Sequence, residues 1–323
     1  MKKILSIDGG GIKGVFPAAF LASVEESIGE PIGDYFDLIV GTSTGGIIAI
    51  GLGLGLSAHD VLAFYETHGP SIFSGNRRLN TLRQLGRAKY RREPLEAALR
   101  EVFGDQRLGD SRTRLVIPSL NLETGEVHVY KTSHHPRLEK DFKLTAVEAA
   151  LATAAAPTYF PTYRSASGIP LVDGGMWANN PVGPAVVEAL GVLEWRADEL
   201  KVLSLGCTTE PLRAKPNKAK WLGINYWAFK VASVFMAGQS SASLGTAQLL
   251  AGHANVTRIS PLVPNKRFKL DSVADIESLK GLGESEARKA MPKMRTLLTE
   301  KAAPFLPSHT LNDGHDQARE SEQ

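Results

Sequence analysis

The sequence predicts an α/β fold in which helices cover both faces of a mostly parallel sheet. Strand-length apolar runs alternate with segments of helical spacing through residues 3–69. Glycine clusters follow the first two apolar runs directly, as loops at the ligand-binding edge of such sheets do. With 43% hydrophobic and 22% charged residues, the chain falls in the globular class and outside the disordered one.

Taken in order, "KKILSID" reads as a first strand and "GGGIKG" as a loop. "VFPAAFLASVEESIG" has helical spacing and ends at Gly29, a favoured residue past a helix terminus. "FDLIVG" is a second buried strand, and "GGIIAIGLGLG" is assigned to a helix against its low propensity. "SAHDVLAFYETHG" opens on Ser57 as N-cap. Residues 74–93 carry seven Arg or Lys before Glu93 and are read as an excursion over the sheet edge. "RLVIPSLNLETGEVHVYKT" gives two strands turning near Thr124–Gly125. In "LTAVEAALATAAAPTYFP", Thr145 and Glu148 have capping-box spacing, and Pro157 must stop the helix. "LVDGGMWANNP" is a strand end and tight turn, "AVVEALGV" a helix, and "LKVLSLGC" another buried strand. "YWAFKVASVFMAGQSSASLGTAQLLAG" is a long helix with aromatic residues on its first turns. The organisation expected is one domain over residues 1–303, its C-terminal part (211–303) helical, and a polar, disordered tail over 304–323.

At 323 residues the chain suits one large domain or two small ones. A net charge of +3 is too small to point to nucleic acid. The single cysteine, Cys207, excludes an intrachain disulfide and suits a reducing compartment. The run after Lys2 and Lys3 is too short for a signal-peptide core. "LIVGTSTGGIIAIGLGLGL" has nearly the length of a membrane span, but six glycines and three hydroxyl residues favour a strand, a turn and a buried helix.

Three strand ends carry chemistry. Gly41-Thr42-Ser43-Thr44-Gly45 fits G-x-S-x-G, which places a serine on a sharp strand-to-helix turn at a helix N-terminus. The plainer reading is that Ser43 only caps that helix. Asp8-Gly9-Gly10-Gly11-Ile12-Lys13-Gly14 can turn several N–H groups into one concavity, able to hold an oxyanion. Its rival is the dinucleotide fingerprint, since Gly9, Gly11 and Gly14 match G-x-G-x-x-G. Against that, Asp8 would repel a pyrophosphate, and no acid ends the second strand. Asp173-Gly174-Gly175 closes a strand, where Asp serves either chemistry or simply a turn. A Ser43, Asp173, His253 triad has the chain order of an α/β-hydrolase, although Ser43 comes early for that fold.

Together, D-G-G-G-x-[K/R]-G, G-x-S-x-G and D-G-G, in that order, resemble the patatin-like phospholipases. "AAAPTYFP" and "VLSLGC" resemble segments of the same family, and the likeness covers roughly residues 1–210. It implies a three-layer α/β/α sandwich and a calcium-independent carboxylic ester hydrolase with no metal or other cofactor. It implies a dyad without histidine, with Ser43 as nucleophile, Asp173 as general base, and the Gly9, Gly10 and Gly11 backbone as oxyanion hole. Lys13 stands where the family has Arg or Lys; Cys207 stands where relatives often have Thr or Ser. More narrowly, "SIDGGGIKGVFPAAFLASVEE" and "FDLIVGTSTGGIIAIGLGLGLS" look like the bacterial CapV-type effectors of cyclic-oligonucleotide anti-phage signalling (CBASS). That likeness implies activation by a cyclic dinucleotide such as cGAMP. By charge alone, Arg77, Arg78, Arg91 and Arg92 are the candidates to bind it or the lipid surface. The expected setting is cytoplasmic, peripheral to the inner face of the membrane, with a phospholipid surface, the cyclic dinucleotide and further copies of the chain as partners, and no nucleic acid.

Overall fold

The computed structural model describes residues 1–74, 86–211, 227 and 231–311. β1 (Lys2–Ile7) is the central strand, pairing in parallel with β2 (Leu38–Gly41) on one side and β7 (Leu200–Leu205) on the other. β8 (Val256–Ile259) adds in parallel to β7, and β3 (Arg114–Asn121) in parallel to β2. Three antiparallel strands complete the sheet: β4 (Val127–Lys131) and β6 (Pro170–Asp173) on β3, and β5 (Tyr163–Arg164) on β6. The sheet order is β5-β6-β3-β2-β1-β7-β8, with β4 branching from β3.

The strands bury both faces, so their side chains divide between two cores. Leu5, Ile7, Ile39, Leu115 and Ile117 face one; Ile4, Leu38, Val40, Val116 and Val202 face the other. The larger core is covered by α1 (Val15–Ile28), α2 (Thr44–Gly53), α3 (Ala58–Ile72), α4 (Glu93–Phe103) and α5 (Ala146–Thr153), with α9 (Ile276–Leu297) on α1. After the one-turn α6 (Gly175–Ala178), α7 (Val182–Gly191) and α8 (Val231–Ala251) cover the smaller core. The result is the expected three-layer sandwich with a mostly parallel centre.

Local signals act where expected. Gly29 takes the left-handed conformation (φ 75°) past α1, and Ser57 and Asp60 form a reciprocal capping box on α3. Thr145 accepts from the Glu148 N–H at the start of α5. α2 is helical despite its glycines because every one of its residues is buried, so packing overrides propensity. Among the described residues no helix is long and apolar enough to cross a membrane.

The C-terminal organisation needs correction: the part expected to be helical (211–303) also supplies β8 to the sheet, and the tail is not wholly disordered. Composition assigned residues 304–323 to disorder, yet 304–311 dock on the domain. Ser308 and His309 donate backbone N–H groups to Ser133, and the His309 ring stacks on Phe142. Residues 312–323 lie outside the described residues, as do Trp221, Tyr226 and Phe229 of the aromatic stretch before α8.

Candidate active site

The serine turn is strained. Ser43 joins β2 to α2 at φ 57°, ψ −124°, a region that side-chain-bearing residues enter only when the surroundings hold them there. Its N–H donates to Thr153 Oγ1 at 3.0 Å, and Thr153 in turn donates to the Pro118 carbonyl at 2.5 Å. Ser43 therefore does not cap α2 with its side chain. Among the described residues, the N–H of Thr44, first in the helix, meets no acceptor.

Asp173 reaches this turn by a route the motif did not indicate. A strand parallel to its neighbours would carry Asp173 to their shared edge; β6 instead runs antiparallel to β3. β4 occupies one flank of β3 from Val116 to Leu120, so β2 and β6 share the other flank, meeting end to end. Val40 lies opposite Val116 and Asp173 opposite Ser119, and the end of β6 therefore faces the turn that leaves β2. The Ser43 hydroxyl lies beside the Asp173 carboxyl and favours its charged form; the carboxyl also accepts the Gly175 N–H at 2.6 Å. Asp173 is only 5% exposed and Ser43 8%. Burial pushes the Asp173 carboxyl up to about 6, against the opposing pull of those two groups. A carboxylate so poised can receive a hydroxyl proton better than an ordinary one.

The glycine loop closes the third side. Gly9 packs against Ser43, but its N–H is committed to the Asn179 carbonyl at 2.9 Å. The expected trio of loop donors is thus reduced to Gly10 and Gly11, whose N–H groups have no acceptor among the described residues. Gly11 takes φ +58°, and an added Cβ would lie 2.2 Å from the Leu270 carbonyl, which accepts the Ile12 N–H. Gly14 abuts the Thr44 hydroxyl, Gly41 the Gly45 carbonyl, Gly45 the Ile7 and Asp8 carbonyls, and Gly174 lies on Pro118. Asp8 turns away from the loop and pairs with Arg258 of β8, which also donates to Ser204 at 2.7 Å. Lys13 is half-buried and makes no ion pair among the described residues. Cys207 is buried beneath Gly10, and burial raises its thiol to about 12.

Other candidates stay apart. β8 runs parallel to β7 and begins beside Val202, so His253 lies at the amino edge of the sheet, the far end from Ser43. The triad reading fails on that ground. The dinucleotide reading lacks its acid, since β2 ends at Gly41. Arg91 is exposed, and Arg92 sits over the Tyr163 ring and 3.5 Å from Glu96. Arg77 and Arg78 lie outside the described residues. Sequence reasoning missed Thr153, Asn179 and Arg258. Thr153 offered a signal, as the one hydroxyl in an alanine run; Asn179 and Arg258 offered none beyond their type.

A family model described as "Patatin-like phospholipase" matches residues 5–186, which hold Ser43, Asp173, Thr153, Asn179 and the glycine loop. A "cGAMP-activated phospholipase" of Pseudomonas aeruginosa is 36% identical, over 74% of this chain and 72% of its own. Proteins of the same description from Vibrio cholerae and Escherichia coli are 32% and 30% identical, covering 91% and 94% of this chain and 93% and 94% of theirs.

Proposed function

The chain belongs to the patatin-like phospholipase family, and from that premise we propose that it cleaves fatty-acyl esters of membrane phospholipids with Ser43 as nucleophile and Asp173 as general base. What supports this reading is one juxtaposition: a hydroxyl on a strained turn lies beside a buried carboxyl of raised pKa. Ser43 Oγ attacks the ester carbonyl carbon while its proton passes to Asp173. The tetrahedral oxyanion accepts from the N–H groups of Gly10, Gly11 and Thr44, none of which meets an acceptor among the described residues. As the intermediate collapses, Asp173 returns the proton to the leaving alcohol oxygen, and an acyl-Ser43 ester remains. Water then gives a proton to Asp173 as it attacks this ester. Collapse frees the fatty acid and restores the Ser43 hydroxyl.

The names of the three bacterial relatives favour one further step, control by a cyclic dinucleotide; a setting in anti-phage defence rests on the resemblance of the glycine-rich segments to CapV-type effectors. The rival is a constitutive acyl hydrolase. Phospholipid hydrolysis measured with and without cGAMP decides between them. A rate raised by the nucleotide supports control, and an equal rate removes it. Fatty acid release by the parent and none by Ser43→Ala supports the catalytic assignment; equal release by both removes it.

A further inference from the structure

Six exposed apolar side chains lie on one edge of this molecule. Leu122 follows β3, Met176 follows β6, Val231 and Phe235 lie on the first turns of α8, Leu262 follows β8, and Leu270 packs on Gly11; all six are at least 40% exposed. α8 enters the amino end of β8 through residues 253–255, so its first turns lie at the carboxyl edge. That edge carries Ser43 and the glycine loop.

Residues 262–270 stand out within it. Between Leu262 and Leu270 come Lys266, Arg267 and Lys269, all exposed. Arg267 lies on the Phe268 ring and 3.4 Å from Asp275. The side chains of Lys266 and Lys269 make no ion pair among the described residues. The neighbouring acids are engaged: Glu210 accepts the Lys266 backbone N–H at 2.8 Å, and Asp271 is held by Lys89 and by the Tyr90 hydroxyl at 2.8 Å. The segment is also anchored. Val263 and Phe268 are buried, the Val263 N–H donates to Thr209, and the Leu270 carbonyl holds the Ile12 N–H of the glycine loop.

We propose that residues 262–270 are the surface by which this protein docks on anionic bilayers, Lys266 and Lys269 meeting the headgroups while Leu262 and Leu270 enter the acyl boundary. Exposed leucines flanking unpaired cations suit the interfacial zone, where apolar burial and attraction to anionic lipid act together. A protein partner is disfavoured by Ser43: at 8% exposure it must receive an ester drawn from a bilayer, so this edge must meet lipid. The inference rests on the phospholipase reading for its purpose, but its test needs no turnover.

The test uses the full chain carrying Ser43→Ala, so that vesicles stay intact. Flotation compares vesicles of phosphatidylglycerol and phosphatidylcholine in equal parts with phosphatidylcholine alone, with and without cGAMP. Preference for the anionic vesicles is expected. Adding K266Q and K269Q should weaken that binding roughly 30-fold, about fivefold for each cation near the surface. Adding L262Q should weaken it about tenfold, the lower range for one buried leucine. Equal partitioning onto both vesicles, no partitioning onto either, or indifference to the lysine pair overturns the proposal. So does a result in which the substitutions change only self-association in sedimentation, because the face then belongs to a second copy. Hydrolysis of a monodisperse short-chain ester by the unsubstituted chain is a separate readout. If that fails while the lysine pair still governs flotation, the docking surface stands and the catalytic assignment falls.

Discussion

Arg258 grips Asp8 with both terminal nitrogens, Nη1 to Oδ1 at 2.8 Å and Nη2 to Oδ2 at 2.5 Å. Asp8 leads directly into the glycine loop, and Arg258 sits on the last strand of the sheet. The pair thus ties the two ends of the fold together beside the N–H groups assigned to the oxyanion. Arg258→Met leaves the buried Asp8 unpaired and should destabilise the protein by roughly 3–5 kcal/mol. Arg258→Lys should lose less stability but still lower kcat, because an ammonium cannot hold both carboxylate oxygens in plane. Urea unfolding and turnover of a soluble ester check both variants.

Asp173 governs a pH dependence with opposite signs for rate and stability. As base it must be ionised, so kcat/KM should rise with pH and level off above about 6. Its folded-state value lies above the unfolded one, so its stabilising effect is complete below about pH 4 and is lost as pH rises through about 6. The rise from 3.8 to about 6 corresponds to roughly 3 kcal/mol. Asp173→Asn should therefore be inactive yet about 3 kcal/mol more stable than the parent at pH 8, with the gain vanishing near pH 4. Denaturant titrations at the two pH values measure it.

Ser43 holds φ 57°, and alanine would hold the same strain. Ser43→Gly should be more stable than Ser43→Ala by about 1 kcal/mol, since only glycine relaxes there. Both should be inactive, so thermal unfolding reads the strain alone.

Gly10 is extended, so its constraint is space. A Cβ there would lie 2.5 Å from Cys207 Cβ and 2.7 Å from its sulfur. Gly10→Ala should cut kcat by roughly 10²-fold through a displaced oxyanion donor. Combining it with Cys207→Gly, which empties the space, should restore most of that loss. Steady-state kinetics on the pair of variants checks it.

The parts of the site legible in the sequence were those written in short motifs: Ser43 between glycines, the glycine loop, and Asp173 before Gly174. Local rules govern these, because a tight turn or close backbone approach constrains its own residues. What was illegible depended on partners far away in the chain. The Gly9 N–H looks free in the motif but is taken by Asn179, 170 positions on. Arg258 is one cation in the four-residue "VTRI", whose half-exposed edge position gives little apolar pattern to read. The Asp173 motif marked a strand end but not its direction: β6 runs antiparallel to β3, on the flank that β4 leaves open. α9, interrupted by Pro292 and by glycines, is held by its packing on α1, where Gly283 meets the Phe16 carbonyl.

Covalent labelling of the intact chain by a fluorophosphonate, with cGAMP present and the modified peptide mapped, tests the pairing of hydroxyl and carboxyl most directly. The adduct is expected on Ser43, forming at least about 10²-fold more slowly in Asp173→Asn. An adduct on a different residue, or an Asp173→Asn variant labelled at the parent's rate, would contradict that pairing.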